Sequence, residues 1–273
     1  MIFLKRQPTP PLDKWIDCIV YVEGNNRGAG FPKTAMNMVF NLQDGFKLYN
    51  DSSFSRFIDY KKHWIAGFQT GPSYVESYGQ SKMIVVQFKT TGASLFLPQP
   101  LHSFTGSYIP LDCVFNKEAD DVWEKLNEAE KAEDKFKVTE NFLFRHLLTN
   151  RILDQNLIGA IELFSKNNLH ITVQEICKRY NVSRKHLNFL FKENLGVSPK
   201  MLSSLNRFQK ILQTITRSKP EKFSNLAYDL DYFDQSHFNN SFRSFTGLRP
   251  GEYVKNVALQ PSLQFMPHFL PVE

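Results

Sequence analysis

The sequence predicts an α+β chain of two domains, mostly β in front and all α behind. Three observations carry this. Apolar residues alternate in short runs over the first ~110 residues, and from Asn116 the spacing lengthens to that of helices. In the last third, a block of about 25 residues recurs at a constant offset of 51.

In chain order, MNMVFNLQDGFKLYN places two alternating runs around Asp44-Gly45, a hairpin signal. HWIAGFQT reads as another strand. SYVESYGQSKMIVVQFK repeats the hairpin pattern, with Gly79-Gln80-Ser81 as turn and Met83 to Phe88 as apolar strand. TTGASLFLPQP reads as a loop and short helix stopped at Pro98. KEADDVWEKLNEAEKAED then gathers Val122, Trp123 and Leu126 on one face and carboxylates on the other, the pattern of an amphipathic surface helix. VTENFLFRHLLTNRIL continues helically through Phe142, Leu143, His146 and Leu147, and a dimer seam is expected in this region. A β-rich domain over 1–153, a helical domain over 154–257 and an apolar, proline-broken, non-helical tail over 258–273 follow from these signals.

The repeat matches His186-Leu187-Asn188, Phe191-Lys192 and Gly196-Val197-x-Pro199 to His237-Phe238-Asn239, Phe242-Arg243 and Gly247-Leu248-x-Pro250. Upstream, Ile176-Cys177 aligns with Leu226-Ala227 if the second copy holds one extra residue in its turn. Each copy reads as helix, tight turn, helix. Thr172 opens the first through a T-x-x-E capping box to Glu175, Asn181 takes the turn, and Ser183 caps the second helix. Ser224, Asp231 and Asp234 take the same places in the second copy. Cys177 and Ala227 supply the small residue that a close helix crossing needs. Asn and Asp are the non-glycine residues that best tolerate the left-handed turn. Gly-[Val/Leu]-x-Pro then ends each unit, because glycine closes a helix and proline opens the next. The linking helix from Ser198-Pro199, about 19 residues and ~28 Å long, approaches the ~34 Å of one DNA turn.

The net charge of +6 is unevenly spread. Ser165 to Lys255 carries 15 Lys and Arg against 7 Asp and Glu, while the remainder is slightly acidic. A basic module joined to a near-neutral one points to a polyanion partner for the former. No apolar run reaches the ~20 residues of a membrane span, and the N-terminus is too short in apolar residues for a secretory signal, so a cytoplasmic protein is expected. Cys18, Cys113 and Cys177 are scattered and odd in number, which argues against disulfides or structural zinc and suggests small buried hydrophobes. His63 and His102 are isolated, and no metal or cofactor is expected.

VSRKHLNFLFKENLGVSPKML and DQSHFNNSFRSFTGLRPGEY, within Ser165 to Asn256, resemble the AraC/XylS-type DNA-binding domain. MVFNLQDG, WIAGFQTGP and IVVQFKTTGASLFL look similar to the sensor domains of some such regulators. The resemblance implies a cupin-like β-barrel or sandwich with flanking helices, followed by two helix-turn-helix units on a linking helix. It further implies a non-enzymatic transcription regulator that binds double-stranded DNA as a homodimer, responds to a small-molecule effector, and meets RNA polymerase if it activates. By the family's pattern Arg184, Lys185, Asn188 and Phe189 read bases in the first unit, as do Gln235, Ser236, Asn239 and Asn240 in the second. Phe189 departs from the long polar residue usual there. Lys192, Arg207 and Arg243 fall to phosphate, with Arg207 also able to pack the two units together. His186 and His237, beside core aromatics, read as structural. Trp64, Phe68 and Tyr74 are candidates for an effector pocket, although strand aromatics are more often core. Two other functions remain open: a partner-controlled DNA binder whose first domain only dimerises, and a β-barrel enzyme or sugar binder with a basic appendage. The second lacks a metal triad, nucleophile motif, phosphate loop or carboxylate pair.

Overall fold

A computed structural model describes residues 2–25, 27–43, 45–49, 51–165, 171–218, 223–230, 232–259 and 268–271. The first domain contains β1 (Ile2–Arg6), β2 (Ile16–Gly24), β3 (Arg27–Gly30), β4 (Asn37–Asn41), β5 (Phe46–Tyr49), β6 (Phe57–Tyr60), β7 (His63–Ala66), β8 (Ser73–Ser77), β9 (Ser81–Phe88) and β10 (Tyr108–Pro110). Helices α1 (Asp112–Phe115), α2 (Lys117–Glu128) and α3 (Ala132–His146) follow. Next come α4 (Gln155–Ser165), α5 (Val173–Arg179), α6 (Arg184–Leu195) and α7 (Pro199–Ser218). The chain continues through α8 (Phe223–Asp229), α9 (Gln235–Thr246) and α10 (Pro250–Leu259) to a last strand, β11 (Phe269–Pro271). The β-rich front and helical rear match the predicted class.

The strands form two antiparallel sheets, ordered β1-β2-β9-β4-β7-β10 and β11-β3-β8-β5-β6. The inner strands of the first, β2, β9, β4 and β7, are largely buried on both faces, and side-chain alternation divides their residues between two cores. Val39, Trp64 and Met83 point toward the second sheet and cluster with Phe46, whose ring stacks on Trp64 at 5.5 Å. Met38, Phe40, Ile65, Ile84 and Val86 point the other way, into the larger core that the helices complete. That is why MVF, WIA and MIVV read as nearly continuous apolar runs.

Both expected hairpins are corrected. β4 pairs with β9 and β7, whereas β5 pairs with β6 and β8, so the Asp44-Gly45 connection carries the chain from one sheet to the other. Asp44 itself lies outside the described residues. The Gly79-Gln80 turn likewise joins β8 of one sheet to β9 of the other, and Ser81 already belongs to β9. Strand alternation specifies which face is buried but not which strand lies alongside, and here every partner of β4, β5 and β9 except β6 is distant in sequence.

The predicted helices after Asn116 form, with Val122 and Leu126 buried and Trp123 donating from Nε1 to the Asn41 carbonyl. The Lys135 ammonium, nearly buried, donates to the carbonyls of Leu126 and Ala129 and so satisfies the end of α2. Desolvation holds its pKa below the usual lysine value. Phe142 is fully buried, edge-on to Phe40 at 5.9 Å and Phe115 at 5.2 Å. The cysteines divide: Cys18 is buried, Cys177 half-buried, and Cys113 exposed on the outer side of α1, against expectation. The tail also differs, since α10 runs on through Ala258 and Leu259, and β11 pairs antiparallel with β3. The last described strand is thus part of a sheet of the first domain, and the Phe31 N–H donates to the His268 carbonyl at 2.7 Å.

Phe142→Ala should cost about 3–5 kcal/mol, read as a lower urea midpoint at unchanged slope.

Candidate nucleic-acid interface

Each helix-turn-helix unit is built from local chemistry. The Glu175 N–H donates to Thr172 Oγ1 at 3.2 Å and the Thr172 N–H to Glu175 Oε2 at 2.7 Å, completing the predicted capping box. Asn181 sits at φ 50°, the left-handed turn expected of it. Ser183 Oγ accepts from the His186 N–H at 3.1 Å, and α6 begins. In the second unit Asp234 Oδ1 accepts from the His237 N–H at 2.7 Å, in the same relation to α9. Here α8 opens at Phe223, one residue ahead of Ser224; the Ser224 side chain and Asp231 lie outside the described residues. Gly196 at φ 86° and Gly247 at φ 73° close α6 and α9.

The two units share a core. Phe208 of α7 packs against Phe242 at 5.7 Å and Phe245 at 4.8 Å, and Phe164 of α4 meets Phe191 of α6 at 6.1 Å. Leu187, Phe191, Phe238, Phe242 and Phe245 are all buried, as predicted. The 20 residues of α7, ~30 Å by helical rise, separate the units.

What the core leaves outside is polar. On α6, Arg184, Lys185, Phe189 and Lys192 are exposed. Asn188 is half-buried, its Nδ2 donating to the Arg184 carbonyl at 2.9 Å. On α9, Gln235, Ser236, Asn240 and Arg243 are exposed and Asn239 half-buried. No acidic residue falls within α9, and the single acid of α6, Glu193, lies 3.3 Å from His102 of the first domain. The outward faces therefore offer donors and cations without carboxylates to repel a phosphate backbone.

One placement falls on one of two expected alternatives, and another differs from expectation. Arg207 lies with its guanidinium 5.4 Å from the Tyr232 ring centroid, which favours its packing alternative over the phosphate role. His186 and His237 are exposed, on the outward side of the first turns of α6 and α9, while the next residues, Leu187 and Phe238, face the core. His186 lies 6.5 Å from exposed Phe189, and only His237 touches a buried aromatic, Tyr232 at 5.3 Å.

The first domain holds both second helices at the same point. Thr105 Oγ1 donates to the Gly196 carbonyl at 2.6 Å, and a Cβ at Gly196 would lie 2.7 Å from the Leu101 carbonyl. A Cβ at Gly247 would lie 2.8 Å from the Tyr74 hydroxyl. The three aromatic pocket candidates are thus dispersed: Trp64 between the sheets, Phe68 in the larger core, Tyr74 against α9's end. An open cleft of about 430 Å³ lies instead between Tyr49, Tyr60, Gln69, Ser73, Ser107 and Tyr108. Among the described residues no group of three His, Cys, Asp or Glu is placed to hold a metal, and no helix is long and apolar enough to cross a membrane.

Residues 176–256 match a family model described as a helix-turn-helix domain, and residues 4–110 match a domain of unknown function, DUF6597. The chain is similar to the lactose operon transcription activator of Staphylococcus xylosus, 29% identical over 103 residues covering 37% of each protein. It is also similar to the raffinose operon regulatory protein RafR of Pediococcus pentosaceus, 27% identical over 88 residues, 32% of this chain and 31% of that one. The matched stretch thus spans about a third of these relatives' length. ToxT of Vibrio cholerae aligns in structure over 93% of this chain and 98% of its own, with 12% identity and a TM-score of 0.48.

Gly196→Ala should lower stability by at least about 1–2 kcal/mol, since it adds left-handed strain to a collision. Gly251→Ala, inside α10 with nothing within 4 Å of the added Cβ, should raise it by up to about 1 kcal/mol. Thermal unfolding of both variants checks the contrast.

Proposed function

We propose that this chain, an AraC-type helix-turn-helix domain behind a β-rich domain, is a sequence-specific DNA-binding transcription regulator. The observation that carries the reading is the pair of capped second helices, whose exposed residues include no carboxylate, held outward on one 20-residue helix. The likeness to two operon regulators supports it.

α6 and α9 enter successive major grooves by their N-terminal halves, the ends left free by the first domain. Lys185 and Arg184 meet guanine edges or phosphate, and Gln235, Ser236, Asn239 and Asn240 meet base edges. Asn188 must release its bond to the Arg184 carbonyl to reach an adenine. Lys192 and Arg243 neutralise phosphates and supply the salt dependence.

The first domain receives a small effector, and the cleft flanked by Tyr49, Tyr60 and Tyr108 is the site we favour. Its walls, around Ser73 and Ser107, continue into Tyr74 and Thr105, which touch the ends of α9 and α6. A ligand that moves either wall reaches a second helix directly. The protein works as a homodimer, for which β1 offers an open sheet edge carrying exposed Ile2, Phe3 and Leu4. RNA polymerase is a further partner if the regulator activates.

Asn239→Ala or Gln235→Ala should relax base preference by ~1–3 kcal/mol for each bidentate pair of hydrogen bonds removed. Lys192→Ala should weaken every duplex alike and reduce the salt slope by about 0.9. Titrations on cognate and scrambled duplexes at several salt concentrations test both, and wild-type binding that ignores sequence would refute the reading. A melting-temperature shift with one member of a metabolite panel is expected of the effector site. No shift with any member, with DNA binding intact, would leave the first domain a dimerisation unit.

A further inference from the structure

The two units differ by one residue, and the structure identifies it. The Val182 N–H donates to the Cys177 carbonyl at 3.0 Å, and the Tyr232 N–H donates to the Ala227 carbonyl at 3.0 Å. These are the same turn bond in each unit. The N-caps Ser183 and Asp234 are equivalent too. Val182 and Ser183 are adjacent, whereas Phe233 stands between Tyr232 and Asp234.

Its neighbours determine where Phe233 points. Tyr232 turns inward: it is buried, perpendicular to Phe238 at 5.4 Å, under Arg207, and hydrogen-bonded through its hydroxyl to Ser241 at 3.2 Å. Asp234 turns to the helix end to cap it. Phe233 is left 93% exposed, the most exposed large apolar side chain among the described residues. It immediately precedes Asp234, the N-cap of α9, two and three residues ahead of Gln235 and Ser236.

A phenylalanine held in water contributes nothing to folding, and its ring is covered only when something apolar arrives. On the major-groove edge of a duplex the apolar group is the thymine methyl, and phenylalanine is among the side chains that meet it. We propose that Phe233 is a specificity-determining residue that packs on a thymine 5-methyl at the edge of the site read by α9. This rests on the DNA-binding reading above. The inserted residue gives the second unit an exposed phenylalanine, which the first carries at another place, Phe189, 57% exposed within α6.

The test uses the full chain. Wild-type protein and Phe233→Ala each select a preferred site from a randomised duplex pool. The wild-type site should contain a T·A pair that becomes degenerate in the variant's selection. The variant should bind the wild-type site about fourfold more weakly, the weight of one methyl group removed from water. Deoxyuridine in place of that thymine should weaken the wild type by the same factor and leave the variant unchanged. An unchanged melting temperature would show the variant folded. Selection of the same site by the variant with equal affinity would overturn the inference, as would an equal loss on every duplex. If wild-type protein enriched no sequence at all, the regulator reading itself would fall, and this inference with it.

Discussion

The Gly196 carbonyl accepts a hydrogen bond from Thr105 while the Gly196 backbone occupies the left-handed region, and Gly247 meets Tyr74 in the same conformation. Both positions lack a Cβ for two reasons at once. The helix must end there, and the first domain must approach the backbone. The ends of α6 and α9 are therefore fixed to a common support, and their opposite ends are left free. Arg184, Lys185, Gln235 and Ser236 owe their exposure to that asymmetry.

The support is stiff because the inner strands of its larger sheet are largely buried on both faces. Trp64 and Met83 fill the space between the sheets, while Phe40 and Ile84 meet the helices that follow. β11 returns from beyond α10 to pair with β3, and the Gln209 amide of α7 donates to the Pro32 carbonyl at 3.1 Å. The chain thus crosses between its two domains more than once. A disturbance at the cleft near Tyr108 has short routes to both second helices, through Thr105 and through Tyr74.

The helical half was legible almost residue by residue. Thr172, Glu175, Asn181, Ser183, Asp234, Gly196 and Gly247 each take the local role that their chemistry suggests. Such roles depend on backbone groups within a few residues. The strands were legible as strands but not as neighbours, since pairing in a two-layered sheet is decided by residues far apart in sequence. Cys113, His186 and His237 were misjudged for a related reason. Their burial depends on which side of an element its neighbours cover.

By itself the sequence determined where α5, α6 and α9 begin and where α6 and α9 end, which residues form the core of each repeat, and that the last third is basic. These follow from short-range hydrogen bonding, side-chain periodicity and composition. Only the tertiary structure decided that Arg207 packs on Tyr232, that Trp64, Phe68 and Tyr74 part company, and that the chain's last described strand joins its first domain. It also decided which residue of the second turn is the extra one. Phe233 faces water because Tyr232 and Asp234 are both held by partners, a condition that exists only once the helices have packed.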